Sequence, residues 1–120
     1  MGDRVLLQIV QANEFGPVVY CHWSGARAPE IVRKLSARML LQLHREGDID
    51  YASARLVQEC TAADPDGALS FGVSNAPARL TADDSHGDAG VVLIDCNTFK
   101  CECLGGYLRT GADGFPEVAA

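Results

Sequence analysis

What this chain lacks removes whole classes of function. No apolar run approaches the ~18 residues that span a bilayer. The opening Met1-Gly2-Asp3-Arg4-Val5 has no basic region, long apolar stretch or cleavage site of a secretory signal. Gly2 invites N-myristoylation, but Leu6 stands where Ser or Thr is needed. A cytoplasmic protein that stays out of membranes is expected. No glycine-rich loop precedes a helix, so a phosphate cradle is missing. No G-x-S-x-G elbow marks a nucleophile, and no cofactor is implied. Basic residues are short too: 10 Lys and Arg stand against 16 Asp and Glu, for a net charge of −6. The balance is +2 over residues 27–55 and −7 over 56–120. An acidic C-terminal half opposes direct nucleic-acid binding, because phosphates repel it. It suits solubility, or a protein partner with a basic surface.

What is present is ordinary globular material. A 120-residue chain with 48% hydrophobic and 22% charged residues can bury roughly two-thirds of its unfolded surface and fold as one domain. That domain is expected over 1–108. Residues 109–120, small and polar after Gly105-Gly106, are expected to be a loosely held tail. Five cysteines, an odd number, fit reduced thiols better than a disulfide framework.

Arg4–Val10 and Val18–Trp23 are aliphatic and β-branched and read as strands. The turn cluster 12–17 joins them as an antiparallel hairpin. Pro29 suits a first helical turn, and Ile31, Leu35, Met39 and Leu43 recur every four residues. A helix over 29–46 follows, with Gly47 as its left-handed terminator. Asp50 caps a second helix over about 51–62, which Asp64-Pro65-Asp66-Gly67 stops. Leu69–Ser74 alternates as a half-buried strand. After a polar loop over 75–89, Gly90–Cys96 and Phe99–Leu104 form a second hairpin. The order ββααβββ predicts an α+β fold: an antiparallel sheet of about five strands with two helices on one face.

Cys96, Cys101 and Cys103 lie within eight residues of each other and invite a metal or redox reading. Register opposes it. A tight turn at Asn97-Thr98 pairs Cys96 with Phe99, Asp95 with Lys100, Ile94 with Cys101, and Val92 with Cys103. The cysteines then share the apolar face of Val92, Ile94 and Phe99, where free Cys acts as a small hydrophobe. They lack C-x-x-C spacing, and a zinc site would need Cys60 or His22 as well. No metal ligand is assigned. Cys21-His22 resembles a nucleophile beside its base, but strand neighbours face opposite ways, and no catalytic residue is assigned.

Surface candidates remain. Trp23, the only tryptophan, either caps the core or anchors a partner. Asp83, Asp84 and Asp88 form an acidic loop without EF-hand ligand spacing, read as a solvated turn or as a partner-binding surface. Lys34, Arg38 and Arg45 fall on one face of the first helix, read as a solvated face or as an anion or partner site.

Three strings carry a resemblance: Val19-Tyr20-Cys21-His22-Trp23-Ser24-Gly25, Asp50-Tyr51-Ala52-Ser53-Ala54-Arg55-Leu56, and Asp88-Ala89-Gly90-Val91-Val92-Leu93-Ile94-Asp95. Through them the chain resembles small bacterial proteins of mobile or phage-derived DNA, over most of residues 4–108. That group has no assigned activity, so the resemblance brings no catalytic residues. It implies an accessory protein that binds and blocks a host protein, as acidic anti-CRISPR proteins do when they occupy nucleic-acid sites. A non-catalytic acidic binding protein is therefore expected, with a small cysteine- or histidine-dependent enzyme or metal protein as the alternative. Self-association through a sheet edge is compatible with both.

Overall fold

The computed structural model describes residues 2–63 and 71–119. Strand β1 (Val5–Gln11) turns at Ala12-Asn13 into β2 (Glu14–Cys21). Helix α1 (Ala28–Ser36) runs on as a π-helical segment, Ala37–Gln42, and α2 spans Ile49–Ala63. Then come β3 (Phe71–Ser74), β4 (Gly90–Asp95), β5 (Cys101–Leu104), β6 (Leu108–Thr110) and β7 (Pro116–Val118). The expected turn at Asp64–Gly67 and the strand start at Leu69-Ser70 lie outside the described residues.

The class is α+β, with a five-stranded sheet in the order β3-β2-β1-β4-β5. Two features correct the expectation. The sheet is mixed: β1 pairs β4 in parallel, Val5 opposite Gly90 through Val10 opposite Asp95. Hairpin signals report sequence neighbours only, whereas β1 and β4 meet from opposite ends of the chain. The element order also extends past ββααβββ, because β6 and β7 form a second small antiparallel sheet. The segment read as a loose tail, 109–120, thus carries all of β7 and most of β6, with Pro116 buried.

Both faces of the central strands are covered, as expected for strands apolar on both sides. On one face, Val5, Leu7, Ile9, Val19, Val92 and Ile94 pack with Ile31, Leu35, Met39 and Leu56 of the helices. On the other, Leu6, Val10, Val18, Val91 and Leu93 pack under Leu80. That second cover is the 75–89 loop.

Several local readings shift. Strand β2 starts four residues early, at Glu14, and takes in Gly16-Pro17. Pro17 is tolerated because the β1–β2 register is irregular between Gln8 and Val10 and β3 pairs only from Val18 onward. The first helix stops at Gln42 rather than 46. Leu43 N–H reaches back five residues to Arg38 O at 2.9 Å, and His44 turns left-handed at φ 51°. Gly47 is left-handed too, but its N–H bonds Cys96 O at 2.9 Å, in the turn beyond the helix.

The second hairpin keeps the expected pairs of Val92 with Cys103 and Ile94 with Cys101, but not the tight turn that paired Cys96 with Phe99: Phe99 is left-handed at φ 60° and its N–H bonds Asp95 O at 2.8 Å. Asp95 and Lys100 do not form the expected charge pair. The Asp95 carboxylate accepts from the Asn97 and Thr98 N–H groups at 2.8 and 3.0 Å. Lys100 instead donates to Asp113 O and lies 4.5 Å over the Phe115 ring.

Candidate functional site

The loop-covered face holds an open cavity of about 380 Å³. Strand alternation puts Leu6 on β1, and Val18 and Tyr20 on β2, toward this face, with His22 next in phase. Leu6, Val18 and Leu80 make an apolar floor; Tyr20, His22, Asn75, Asp84 and His86 make a polar rim. The Tyr20 and His22 ring centroids are 6.0 Å apart. Tyr20 leans across β3: a Cβ on Gly72 would stand 2.5 Å from its hydroxyl. Cavities of ~300–1,000 Å³ with an apolar floor and a few polar groups are the usual ligand sites.

The wall is the 75–89 loop, and it is held down at several points. Gln8 is fully buried in the middle of β1. Its Nε2 donates to Gly16 O at 3.0 Å and to Ala78 O at 3.4 Å, and its Oε1 accepts from Leu80 N at 2.9 Å. Farther along, Arg4 donates from its backbone N–H and its Nε to Asp88 Oδ2, both at 3.0 Å, and from Nη2 to His86 O at 3.2 Å. Those bonds from Arg4 hold the Asp88 carboxyl below the usual carboxylate range. Asp84 forms a reciprocal cap with Thr81 around the 3₁₀ turn Ala82–Asp84.

Trp23 is 46% exposed and is no core cap. With Gly2, Arg4 and His22 it lines a second hollow of about 390 Å³. His22 lines both hollows, which places Trp23 beside the cavity.

The acidic loop is engaged by its own fold: Asp84 caps, Asp88 pairs with Arg4, and among the described residues Asp83 alone of the three makes no hydrogen bond or ion pair. The three basic candidates are not brought together. Lys34 pairs with Glu30 at 3.0 Å. Arg38, on the π-helical segment, meets Glu59 of α2 at 2.7 Å. Arg45 lies beyond the helix, pairs with Asp48 at 3.2 Å and stacks 4.6 Å over Tyr51. The early helix end breaks the periodicity that aligned Arg45 with the other two.

The cysteines are packing groups. Cys96 is fully buried in the helix-side core, with Cys101 and Cys103 partly buried against it. Burial pushes the Cys96 thiol up to about 11 and raises those of Cys101 and Cys103. Cys60 does not join them. It meets Cys21 between α2 and β2, and that contact, with burial, drives its thiol far up. Cys21 and His22 face opposite sides of the sheet.

No family model, curated protein or solved structure matches this chain.

The groove uses residues that sequence patterns did not single out: Gln8, Tyr20, Asn75, Leu80 and His86. One signal was present. Gln8 interrupts an otherwise aliphatic run, and a polar residue inside a central strand must find partners. Among the described residues no helix is long and apolar enough to cross a membrane.

Proposed function

We propose that this chain is a non-catalytic binding protein that takes a segment of a protein partner into the groove between Trp23 and Leu80. One observation carries the reading: an exposed tryptophan stands beside an open, apolar-floored cavity, with His22 lining the hollows at both. Exposed aromatic anchors beside apolar pockets concentrate the binding energy of protein interfaces. The rim supports it, since Tyr20, His22 and Asn75 offer hydrogen bonds without a large fixed charge. In keeping with the resemblance to proteins of mobile and phage-derived DNA, the partner we propose is a host protein blocked by occupancy of the groove. The acidic loop supplies a rim charge at Asp84, and Asp83, outside the lining, makes no main contact.

The test compares variants as bait in a bacterial lysate. Trp23→Ala and His22→Ala should each lose the captured protein, whereas Asp83→Asn should keep it. Loss with Asp83→Asn alone would transfer the interface to the acidic loop and sink the groove reading.

His22, His86, Tyr20 and Asp84 around one cavity favour a second reading, a small histidine-dependent enzyme working by general acid–base chemistry. Turnover of a panel of ester and phosphoester substrates, abolished by His22→Gln and His86→Gln, would support it over the first.

A further inference from the structure

We propose that the partner segment is an extended strand that adds to the outer edge of β3, with an aromatic or long aliphatic side chain against Tyr20. This rests on the groove reading above and names the form of its ligand. A five-stranded sheet has two edges, and here they are treated differently. The β5 edge is used: Cys101 N–H donates to Gly114 O at 2.7 Å, Cys103 N–H donates to Thr110 Oγ1 at 3.2 Å, and that hydroxyl donates to Cys101 O at 3.2 Å. Among the described residues β3 pairs with β2 alone. Among the described residues its outer edge therefore has no strand partner.

Edges of this kind are normally blunted by lysine, proline, a bulge or a covering segment. Strand β3 carries no lysine or proline and, among the described residues, no covering segment; its length of four residues is its one protection. Phe71-Gly72-Val73-Ser74-Asn75-Ala76-Pro77-Ala78 contains no charged residue, and Val73 is 49% exposed. An uncharged edge beside a cavity, with no partner among the described residues, is a template for strand addition, and its four residues limit the added strand to a short segment.

The geometry also says what the added strand must carry. Ser74, at the end of β3, and Asn75 form one wall of the cavity. An added strand lies ~4.8 Å outside β3, and its alternate side chains stand beside Gly72 and Ser74 on the loop-covered face. Gly72 has no side chain, and the Tyr20 ring lies against it. The partner residue opposite Gly72 thus meets Tyr20 with nothing between them, which favours an aromatic or long aliphatic group. The net charge of −6 favours basic residues at the ends of the segment.

The probe is a set of acetylated, amidated heptapeptides with a lysine at each end and valine alternating with threonine. The central residue is varied among phenylalanine, leucine and serine. Titrated into the isotope-labelled full chain, the phenylalanine and leucine peptides should shift and protect amides of residues 71–75 and shift Tyr20, more strongly than the serine peptide. Methylating two alternate backbone nitrogens of the peptide, which removes its strand hydrogen bonds but keeps its side chains, should weaken binding about tenfold or more. Val73→Lys, at an exposed position, should also weaken it.

Three results overturn the proposal: equal binding of the methylated peptide, no response at 71–75 to any peptide, or a concentration-dependent dimer with β3 amides at its interface. The first two leave the groove reading standing on the Trp23 and His22 variants. The third assigns the edge to a second copy of this chain.

Discussion

Single residues fix the groove more than its lining does. Gln8 is the clearest case: one buried amide holds the loop at Ala78 and Leu80 and ties it to Gly16 of β2. Gln8→Leu leaves buried partners unsatisfied and should cost about 1–3 kcal/mol in denaturant unfolding. Hydrogen exchange at Leu80 should rise with it, while α1 and α2 keep their protection. Arg38 makes a second test. Its partner Glu59 is nearly fully buried, so Arg38→Ala strands a carboxylate inside and should destabilise by about 3 kcal/mol. Lys34→Ala, which breaks only a surface pair, should have far less effect. A pH dependence follows from Cys96, whose thiol rises from an ordinary 9.0 to about 11. The folded chain keeps that proton after the unfolded chain has lost it. Its contribution is complete below about pH 9 and is lost as pH rises from 9 through 11. Thermal melts across that window should fall, and Cys96→Val should flatten the fall.

Elements were legible in proportion to how local their signals are. The pairing of the second hairpin was legible, because alternation in Val91–Ile94 and Cys101–Leu104 leaves one register that puts the cysteines on the core face, but its turn was not: the strands stop at Asp95 and resume at Cys101. The body of α1 was legible from its four-residue stripe, but its π-helical end was not. There Arg38 answers to Glu59 on another helix, and intrinsic periodicity carries no trace of that. The parallel β1–β4 pairing was illegible for the same reason: both strands are apolar on both faces, which says buried but not beside what. Only fragments of the groove were visible, as Trp23 and the acidic loop, because its floor comes from three separate stretches. The β6–β7 pair was hidden by its small and polar composition. It covers the β5 edge and tucks Leu108 into the core. A chain ending at Gly106 should therefore melt at lower temperature. It should also self-associate in sedimentation, through the uncovered β5 edge.

At the scale of the whole molecule, the two covers of the sheet divide the work. The helices bury one face with large apolar side chains and give the domain its stability. The loop covers the other face incompletely, and the part left open is the groove. Arg4 and Asp88 pin the far end of that loop to the start of β1. Asp88→Asn should loosen the loop, seen as faster exchange at residues 86–89, with little change in the helical signal. The placement of β1 has a consequence in time. Its hairpin partner β2 follows within a few residues, but its parallel partner begins at Gly90, paired with Val5. At ribosomal speeds of about 5–20 residues per second, β4 follows β1 by roughly 4 to 17 s. Throughout that interval the strand destined for the middle of the sheet is a bare edge, and the nascent chain depends on its surroundings to leave it alone.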